Sequence, residues 1–290
     1  MKKLLLITVL LIFTSVVIAQ DSIPSKWKKA FQTGLNINQA AFSDNWKGGG
    51  TNSIALGTFF NAKANYESTN LSFSNGVELQ YGIQKNKDQD SRKNADKIYL
   101  DSKLGYKFNA KWNLFASINL QSQFDDGFAY AKDANGAETR TLISRYASPA
   151  YLTSSVGLEY KPVNYFWIRF GTGTLRQTFV MDRTIINYVP KNYGVEPDKQ
   201  ILNEIAFQLV ADYDKNIAKN LNIKARYTLF ANYKDLKAID NKIDLVLTAK
   251  VTKFINVNIT ATALYDQDMD FKTQYTQTFA LGIMYNFSQF

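Results

Sequence analysis

The sequence predicts an all-β protein, namely a transmembrane antiparallel up-and-down β-barrel of about 12 strands. Three observations support this prediction. Many segments alternate apolar and polar residues, the links between segments alternate between short and long, and aromatic residues lie near both ends of the segments. Such features are typical of outer-membrane barrels, which have short periplasmic turns, longer extracellular loops and two aromatic girdles.

The final stretch, residues 274–290, shows the alternation most clearly. From Tyr275 onward the odd positions are mostly large and apolar, whereas the even positions are small or polar. Successive side chains of a strand point to opposite faces, so one face suits lipid and the other a lumen. We interpret this stretch as the closing strand, with Tyr285, Phe287 and Phe290 as the aromatic signal for membrane assembly.

The same period-two alternation occurs throughout the mature chain. Strands are predicted over residues 30–42, 52–66, 70–84, 95–109, 111–125, 150–161, 164–175, 202–213, 220–233, 239–252, 254–265 and 273–287. A soluble β-sandwich also alternates apolar and polar residues. The alternating link lengths, with long links over 85–94, 126–149 and 176–201, favour the membrane barrel instead.

Residues 1–19 are predicted to form a cleaved secretory signal peptide, which leaves residues 20–290 as the barrel domain. Lys2 and Lys3 precede an apolar run that ends before a site typical of signal cleavage. The run is too short for the roughly 20 residues of a transmembrane helix. The sequence contains no cysteine, so we expect neither disulfides nor a thiolate metal site.

The charge of the chain suggests membrane partners. The formal net charge is +9, and the basic residues are spread over turns, loops and strands without a nucleic-acid motif. We therefore expect no nucleic-acid partner. We expect attraction to outer-membrane lipid and lipopolysaccharide, contact with the outer-membrane assembly machinery during insertion, and a location in the outer membrane of a Gram-negative bacterium.

The titratable residues do not predict an enzyme. The chain has no histidine, which excludes the Ser–His pair of phospholipase barrels and the Asp–His pair of omptin-type proteases. We expect no catalysis and no cofactor. Asp266, Asp268 and Asp270 could bind calcium through carboxylate oxygens, but they lack the glycine and glutamate of a calcium loop. A solvated loop is the favoured interpretation here and at Asp125–Asp126, so no metal site is predicted.

Charged residues also occur at positions that the alternation assigns to the lumen. These are Lys63, Glu78, Asp101, Lys103, Glu159, Arg169, Glu204, Asp212, Lys224, Arg226 and Asp244. A lining of one sign would indicate ion selectivity. Because both signs are interspersed, and buried charges are costly unless paired or wet, we favour a narrow, ion-paired lumen over an open porin.

The first outer loop, residues 42–53, has the sequence that is least typical of a barrel loop. Its candidate interaction residues are Trp46, Gly48, Gly49, Gly50, Asn52 and Ser53. Three consecutive glycines permit a close approach by another surface, and the tryptophan could anchor a contact. A tight hairpin with a tryptophan in the interfacial belt explains the same residues equally well.

The run NQAAFSDNWKGGGTNSIAL, Asn38–Leu56, resembles the opening signature of a Bacteroidota outer-membrane protein family catalogued as domain of unknown function 3078. Further similar strings lie at Glu78–Lys85, Asp96–Lys107, Lys111–Phe124, Ser148–Pro162 and Ala263–Asp270. The string FGTGTLRQTFVMDRT departs from the family pattern. The resemblance extends over the mature chain and implies an outer-membrane barrel without implying a reaction.

Two functions agree with these expectations. The first is a structural or accessory subunit that docks onto another outer-membrane complex through its extracellular loops. The alternative is a narrow, porin-like passive channel for small solutes. Whether the lumen is open or closed distinguishes these two functions, because only the channel requires a continuous aqueous path.

Overall fold

A computed structural model describes residues 26–41, 43, 52–185, 192–267 and 270–289. The predicted signal peptide, residues 1–19, lies outside the described residues. So do Trp46 and Gly48–Gly50 of the candidate interaction loop, and Phe290 of the predicted assembly signal.

The described residues form strands joined by turns and loops. The strands are β1 (Trp27–Ala40), β2 (Ser53–Glu67), β3 (Leu71–Asn86), β4 (Arg92–Lys107), β5 (Trp112–Ser122), β6 (Gly127–Lys132), β7 (Glu138–Ser144), β8 (Ala150–Val163), β9 (Phe166–Phe179), β10 (Ile201–Ala218), β11 (Leu221–Asn232), β12 (Ile239–Lys250), β13 (Ile255–Asp266) and β14 (Asp270–Gln289). In this part of the chain no helix is both long and apolar enough to cross a membrane.

All strands except β6 and β7 form one closed barrel, in the order β1-β14-β13-β12-β11-β10-β9-β8-β5-β4-β3-β2. Every neighbouring pair is antiparallel, and β14 closes the ring on β1, with Leu35 opposite Ile283. Closure satisfies the backbone hydrogen bonds that lipid cannot satisfy. The predicted twelve-stranded antiparallel up-and-down barrel is therefore confirmed.

The two ends of the barrel differ as predicted. At one end, here called the short-turn end, the connections are residues 68–70, 108–111, 164–165, 219–220 and 251–254. The connections at the other end, the long-loop end, are longer apart from residues 267–269 between β13 and β14, and one of them includes β6 and β7, which pair only with each other. In membrane barrels the short turns face the periplasm.

The exterior of the barrel is apolar. Leu35 and Ile283, on the closing strands, are 58% and 60% exposed, and similar exposed apolar side chains occur on the outer face of the other barrel strands. A continuous apolar belt of this kind would be unfavourable in water and is stable in lipid. The inner face carries most of the charged and amide side chains.

Two strand ends differ from the sequence prediction by more than three residues. β9 continues to Phe179 and β10 to Ala218, so the predicted link at 214–219 is mostly strand. In β9 the register shifts between Gly171 and Gly173. This bulge moves the inward positions from odd to even numbers and interrupts the alternation on which the prediction relied. The polar end of β10 extends past the apolar belt, which explains why its sequence resembles a loop.

The link predicted at 126–149 contains a hairpin that the sequence pattern does not predict. Its strands β6 and β7 pair in register from Phe128 opposite Leu142 to Lys132 opposite Glu138. Arg145, just after the hairpin, forms ion pairs with Asp126 at 2.9 Å and with Asp182 at 2.7 Å. These pairs join the hairpin to the loop that follows β9.

Candidate functional site in the barrel lumen

The most buried charge in the lumen is Glu159 of β8, which is 1% exposed. Its carboxylate accepts hydrogen bonds from Lys103 Nζ of β4 at 2.6 Å and from Arg169 Nε of β9 at 2.8 Å. Asn113 Nδ2 of β5 donates a third bond at 3.0 Å. Four strands are thus joined at one carboxylate, whose charge is compensated by two cations.

A second cluster lies around Arg176 of β9. Its Nε donates to Glu204 Oε2 at 2.9 Å and its Nη1 to Asp240 Oδ2 at 2.8 Å. The guanidinium also lies 3.7 Å from the centre of the Phe230 ring, a cation–π contact. Arg176 and Asp240 were missed from sequence because one follows the bulge in β9 and the other is the second residue of β12.

Two ion pairs cross the lumen between opposite walls. Glu78 of β3 pairs with Lys97 of β4 at 2.6 Å and with Lys224 of β11 at 3.4 Å. Strands β3 and β11 are six places apart around the ring in either direction. Lys63 of β2 and Asp214 of β10 face each other in the same way at 3.9 Å. The lumen is therefore narrow enough for side chains to bridge it.

The remaining predicted lumen charges are also close to partners, with one exception. Arg226 pairs with Asp212 at 2.8 Å. Asp244 pairs with Lys242 at 3.0 Å and accepts a hydrogen bond from the Thr262 hydroxyl. Asp101 lies on the inner face of β4 and forms no ion pair with a described residue.

Residues of these clusters, together with the long loops, line a cavity of about 430 Å³. Its wall includes residues from both sides of the barrel, such as Tyr99 of β4 and Thr228 of β11, together with Tyr193 from the loop after β9. The Arg226 guanidinium lies 5.9 Å from the Tyr99 ring centre, which shows how closely the two walls approach. The volume is within the range of small-molecule pockets.

The loops at the long-loop end of the cavity are joined by hydrogen bonds. Asp182 accepts hydrogen bonds from the backbone and hydroxyl of Thr184 and from Arg145, and these contacts lower its pKa to about 2. The Tyr193 hydroxyl donates to the Ile143 carbonyl at 2.6 Å. Burial raises the pKa of Tyr193 to about 12, so the phenol remains a hydrogen-bond donor at neutral pH.

The predicted assembly residues lie on the outer face of the last strand. Phe287 and Tyr285 are exposed on the barrel exterior near the short-turn end. The ring of Phe31, on β1, lies 5.3 Å from that of Phe287 and 6.0 Å from that of Tyr285. These rings cover the closing pair of strands where the barrel leaves the apolar belt.

The two described residues of the candidate interaction loop, Asn52 and Ser53, lie at the edge of the barrel. Ser53 is the first residue of β2 and lies opposite Ala40 and Asn86. The carbonyl of Asn52 accepts a hydrogen bond from the Lys87 amide at 2.7 Å. Both residues therefore lie at the long-loop end.

The fold also gathers lysines that are separated in sequence. This lysine rim surrounds the short-turn end and consists of Lys26, Lys28, Lys29, Lys107, Lys111, Lys161, Lys215, Lys219, Lys250 and Lys253. Lys215 lies 4.2 Å from the Tyr165 ring centre, an arrangement typical of a membrane interface. In the sequence these basic residues are spread, because only the strand order shows that these turns share one end.

No group of three or more potential metal ligands comes together among the described residues. Asp268, one of the carboxylates considered for calcium, lies outside them. The interior clusters described above are pairs of cations and carboxylates, so their oxygens are already engaged by protein donors.

Residues 37–128 match the model of a protein family of unknown function, DUF3078. The resemblance seen in the sequence is confirmed over that part of the chain, which includes β2 to β5. No curated protein matches the chain.

Several solved outer-membrane barrels are similar in structure. The translocator domain of the autotransporter NalP from Neisseria meningitidis is 10% identical, with 94% of this chain and 93% of that chain covered and a TM-score of 0.39. The NanC porin is 9% identical, with 87% and 98% covered and a TM-score of 0.40. An outer-membrane channel from Pseudomonas putida F1 is 11% identical, with 93% and 97% covered and a TM-score of 0.41. Similarities of this size say nothing about the function of the lumen in this chain.

Proposed function

We propose that this protein is a non-conducting accessory barrel of a Gram-negative outer membrane, which docks onto another outer-membrane complex through its long-loop end. The observation that carries the proposal is the pair of ion bridges between opposite walls, Glu78–Lys224 and Lys63–Asp214. A diffusion channel needs a continuous aqueous path, and side chains that meet across the barrel axis interrupt such a path.

The ion pairs also raise the free-energy cost of opening the lumen. Separating partly buried charges leaves each without its partner, and the cost is large when water cannot replace it. Glu78 is held by lysines from two strands, one of them on the opposite wall. A transient opening would have to break such contacts in several layers, which supports a lumen that stays shut.

The long-loop end offers an ordered surface for docking. In the β6–β7 hairpin the Arg140 guanidinium lies 5.0 Å from the Phe128 ring centre. Arg92 of β4 lies 4.0 Å from the Tyr130 ring centre and also pairs with Glu138 of the hairpin. Aromatic and arginine side chains are enriched in protein interfaces, and a surface held in place loses little entropy on binding.

The lysine rim supports a membrane partner at the opposite end. Its ammonium groups lie at the level where anionic lipid headgroups meet the barrel, and each such contact contributes about 1 kcal/mol. The exposed aromatic residues of the last strand are the feature that we propose the assembly machinery recognises. The proposed role includes no catalysis, in keeping with the lack of histidine in the chain.

Single-channel recording in planar bilayers tests the closed lumen. We expect the wild-type protein to show little steady conductance, and a Lys63→Ala/Lys224→Ala variant to show more, because both bridges across the axis are removed. Glu196→Gln, at an exposed loop pair, is the matched control and should behave like the wild type. A large, stable, salt-proportional conductance of the wild-type protein would reject the closed lumen in favour of the porin-like channel.

Co-purification from native outer membranes tests the docking role. The wild-type protein should retain a stable outer-membrane partner, and a variant with the β6–β7 hairpin replaced by a short glycine-containing turn should lose it while remaining a folded barrel. Recovery of the same partner by the shortened variant would exclude the hairpin as the docking surface.

A further inference from the structure

The cavity in the long-loop half of the lumen has the properties of a binding site. It is open between two walls of the barrel, and Ser144, the last residue of β7, and Pro149, just before β8, line it together with the barrel strands. The bridge from Glu78 to Lys224 narrows the lumen farther along the axis. A molecule that enters from the long-loop end would therefore meet a wall of fixed side chains before reaching the opposite end.

The cations on the cavity wall are already compensated by the protein. They are Lys97 with Glu78, Arg169 with Glu159, Arg176 with Glu204 and Asp240, Arg226 with Asp212, and Lys242 with Asp244. An anionic ligand would have to compete with these carboxylates for every one of the five. The electrostatics of the wall therefore favour a ligand without a negative charge.

Amide, hydroxyl and carboxylate groups occupy the wall formed by β4 and β5. Asp101 lies directly opposite Asn119, and Tyr99 lies opposite Gln121, so that two polar pairs follow each other along the inner face. Gln208 contributes a further amide from β10. Amides both donate and accept hydrogen bonds, and a carboxylate accepts them from hydroxyl groups.

Aromatic rings lie beside these polar groups. Tyr99, Tyr151 and Trp167 all line the cavity. Trp167 is held by the Arg169 guanidinium, which lies 4.0 Å from its ring centre. Rings fixed in this way offer flat apolar surfaces next to hydrogen-bonding groups. A sugar ring matches this combination, because it has hydroxyl groups around its edge and a face of C–H groups.

We propose that this cavity binds a neutral saccharide of one or two sugar units, with Asp101 and Asn119 accepting and donating hydrogen bonds to its hydroxyl groups and the aromatic rings packing against its faces. The hydrogen-bonding residues of the site lie on barrel strands inside the lumen and do not belong to the docking surface. Binding here is compatible with a lumen that does not conduct.

The test uses the purified full-length protein in a detergent without a sugar headgroup, so that the detergent does not compete. Isothermal titration calorimetry with maltose, cellobiose and N,N′-diacetylchitobiose, and with glucuronate as the anionic comparison, measures the affinity. We expect at least one neutral disaccharide to bind, and Asp101→Leu and Asn119→Leu each to weaken binding about tenfold, as expected for the loss of a hydrogen bond to a charged or amide group. Leu100→Val, on the outer face of the same strand, should leave the affinity unchanged.

Heat-modifiable gel mobility establishes that each variant is folded. If Asp101→Leu does not fold, Asn119→Leu and Gln121→Leu replace it in the comparison. Failure of the folded wild-type protein to bind any of the neutral sugars, tighter binding of glucuronate, or equal affinity in the folded cavity variants would overturn the proposal. A conducting wild-type protein that binds the sugar would reject the closed lumen alone, whereas a non-conducting protein that does not bind it would reject the sugar site alone.

Discussion

Replacing Glu159 by glutamine should destabilise the barrel more than any exposed charge substitution. The change leaves Lys103 and Arg169, both nearly buried, without the carboxylate that now lies 2.6 and 2.8 Å from them. With an effective dielectric constant of about 20, the gross attraction at such a distance is about 6 kcal/mol. Desolvation of the charges offsets part of this attraction, so we expect a net loss of about 3–5 kcal/mol in the free energy of unfolding.

Denaturant unfolding in liposomes, followed by tryptophan fluorescence, measures this loss. The control is Glu196→Gln, since Glu196 and Lys199 have side chains that are 60% and 59% exposed. An exposed pair contributes about 0–1 kcal/mol, so this control should be close to the wild type. Adding Arg169→Gln to Glu159→Gln should cost less than the sum of the two single changes, because the two groups share one contact. Equal stability of Glu159→Gln and the control would show that the interior is hydrated and refute the reasoning.

Three further predictions concern the register, the last strand and the loops. Leu245→Arg should destabilise the barrel by about 2–4 kcal/mol in denaturant unfolding, and Asp244→Asn by much less; the reverse order would indicate a strand shifted by one residue. Phe287→Ala should impair assembly in heat-modifiable gel mobility, whereas deletion of 288–290 should not, and equal effects would contradict the proposed signal. Because the pKa of Asp182 is lowered to about 2 from an ordinary 3.8, its stabilisation is complete above about pH 4 and is lost as the pH falls through 2. Pepsin should therefore cleave the β6–β7 hairpin faster in Asp182→Asn than in the wild type at pH 4, with a much smaller difference near pH 2, where the carboxylate is half protonated. Equal rates at pH 4 would exclude a stabilising role for this ion pair.

The orientation of side chains could be predicted from sequence because it depends on a local property. Within one strand the faces alternate with a period of two, so Glu78 and Lys224 could both be assigned to the lumen. Their meeting could not be predicted, since they are 146 positions apart in sequence. It depends on the number of strands, their tilt and the stagger between them, which no single strand encodes.

The residues of the site that the sequence does not predict have the same explanation, since they too depend on how the strands are arranged. The alternation places Arg176 in a loop, because the bulge between Gly171 and Gly173 reverses it within β9. The lysine rim was not recognised because the turns that form it are distant in sequence. In both cases the missing information concerned the relation between strands and not the residues themselves.

The seam between β1 and β14 has a consequence for how this protein reaches its folded state. The first and last strands are neighbours, so the side-chain contact from Asn38 to the carbonyl of Phe279 spans 241 positions in sequence. Contacts of such high sequence separation form slowly, because the intervening chain must first be ordered. Until β14 arrives, β1 exposes an unpaired edge that can join other chains. We therefore expect the newly made polypeptide to need protection from association with other chains until its final strand has paired with β1.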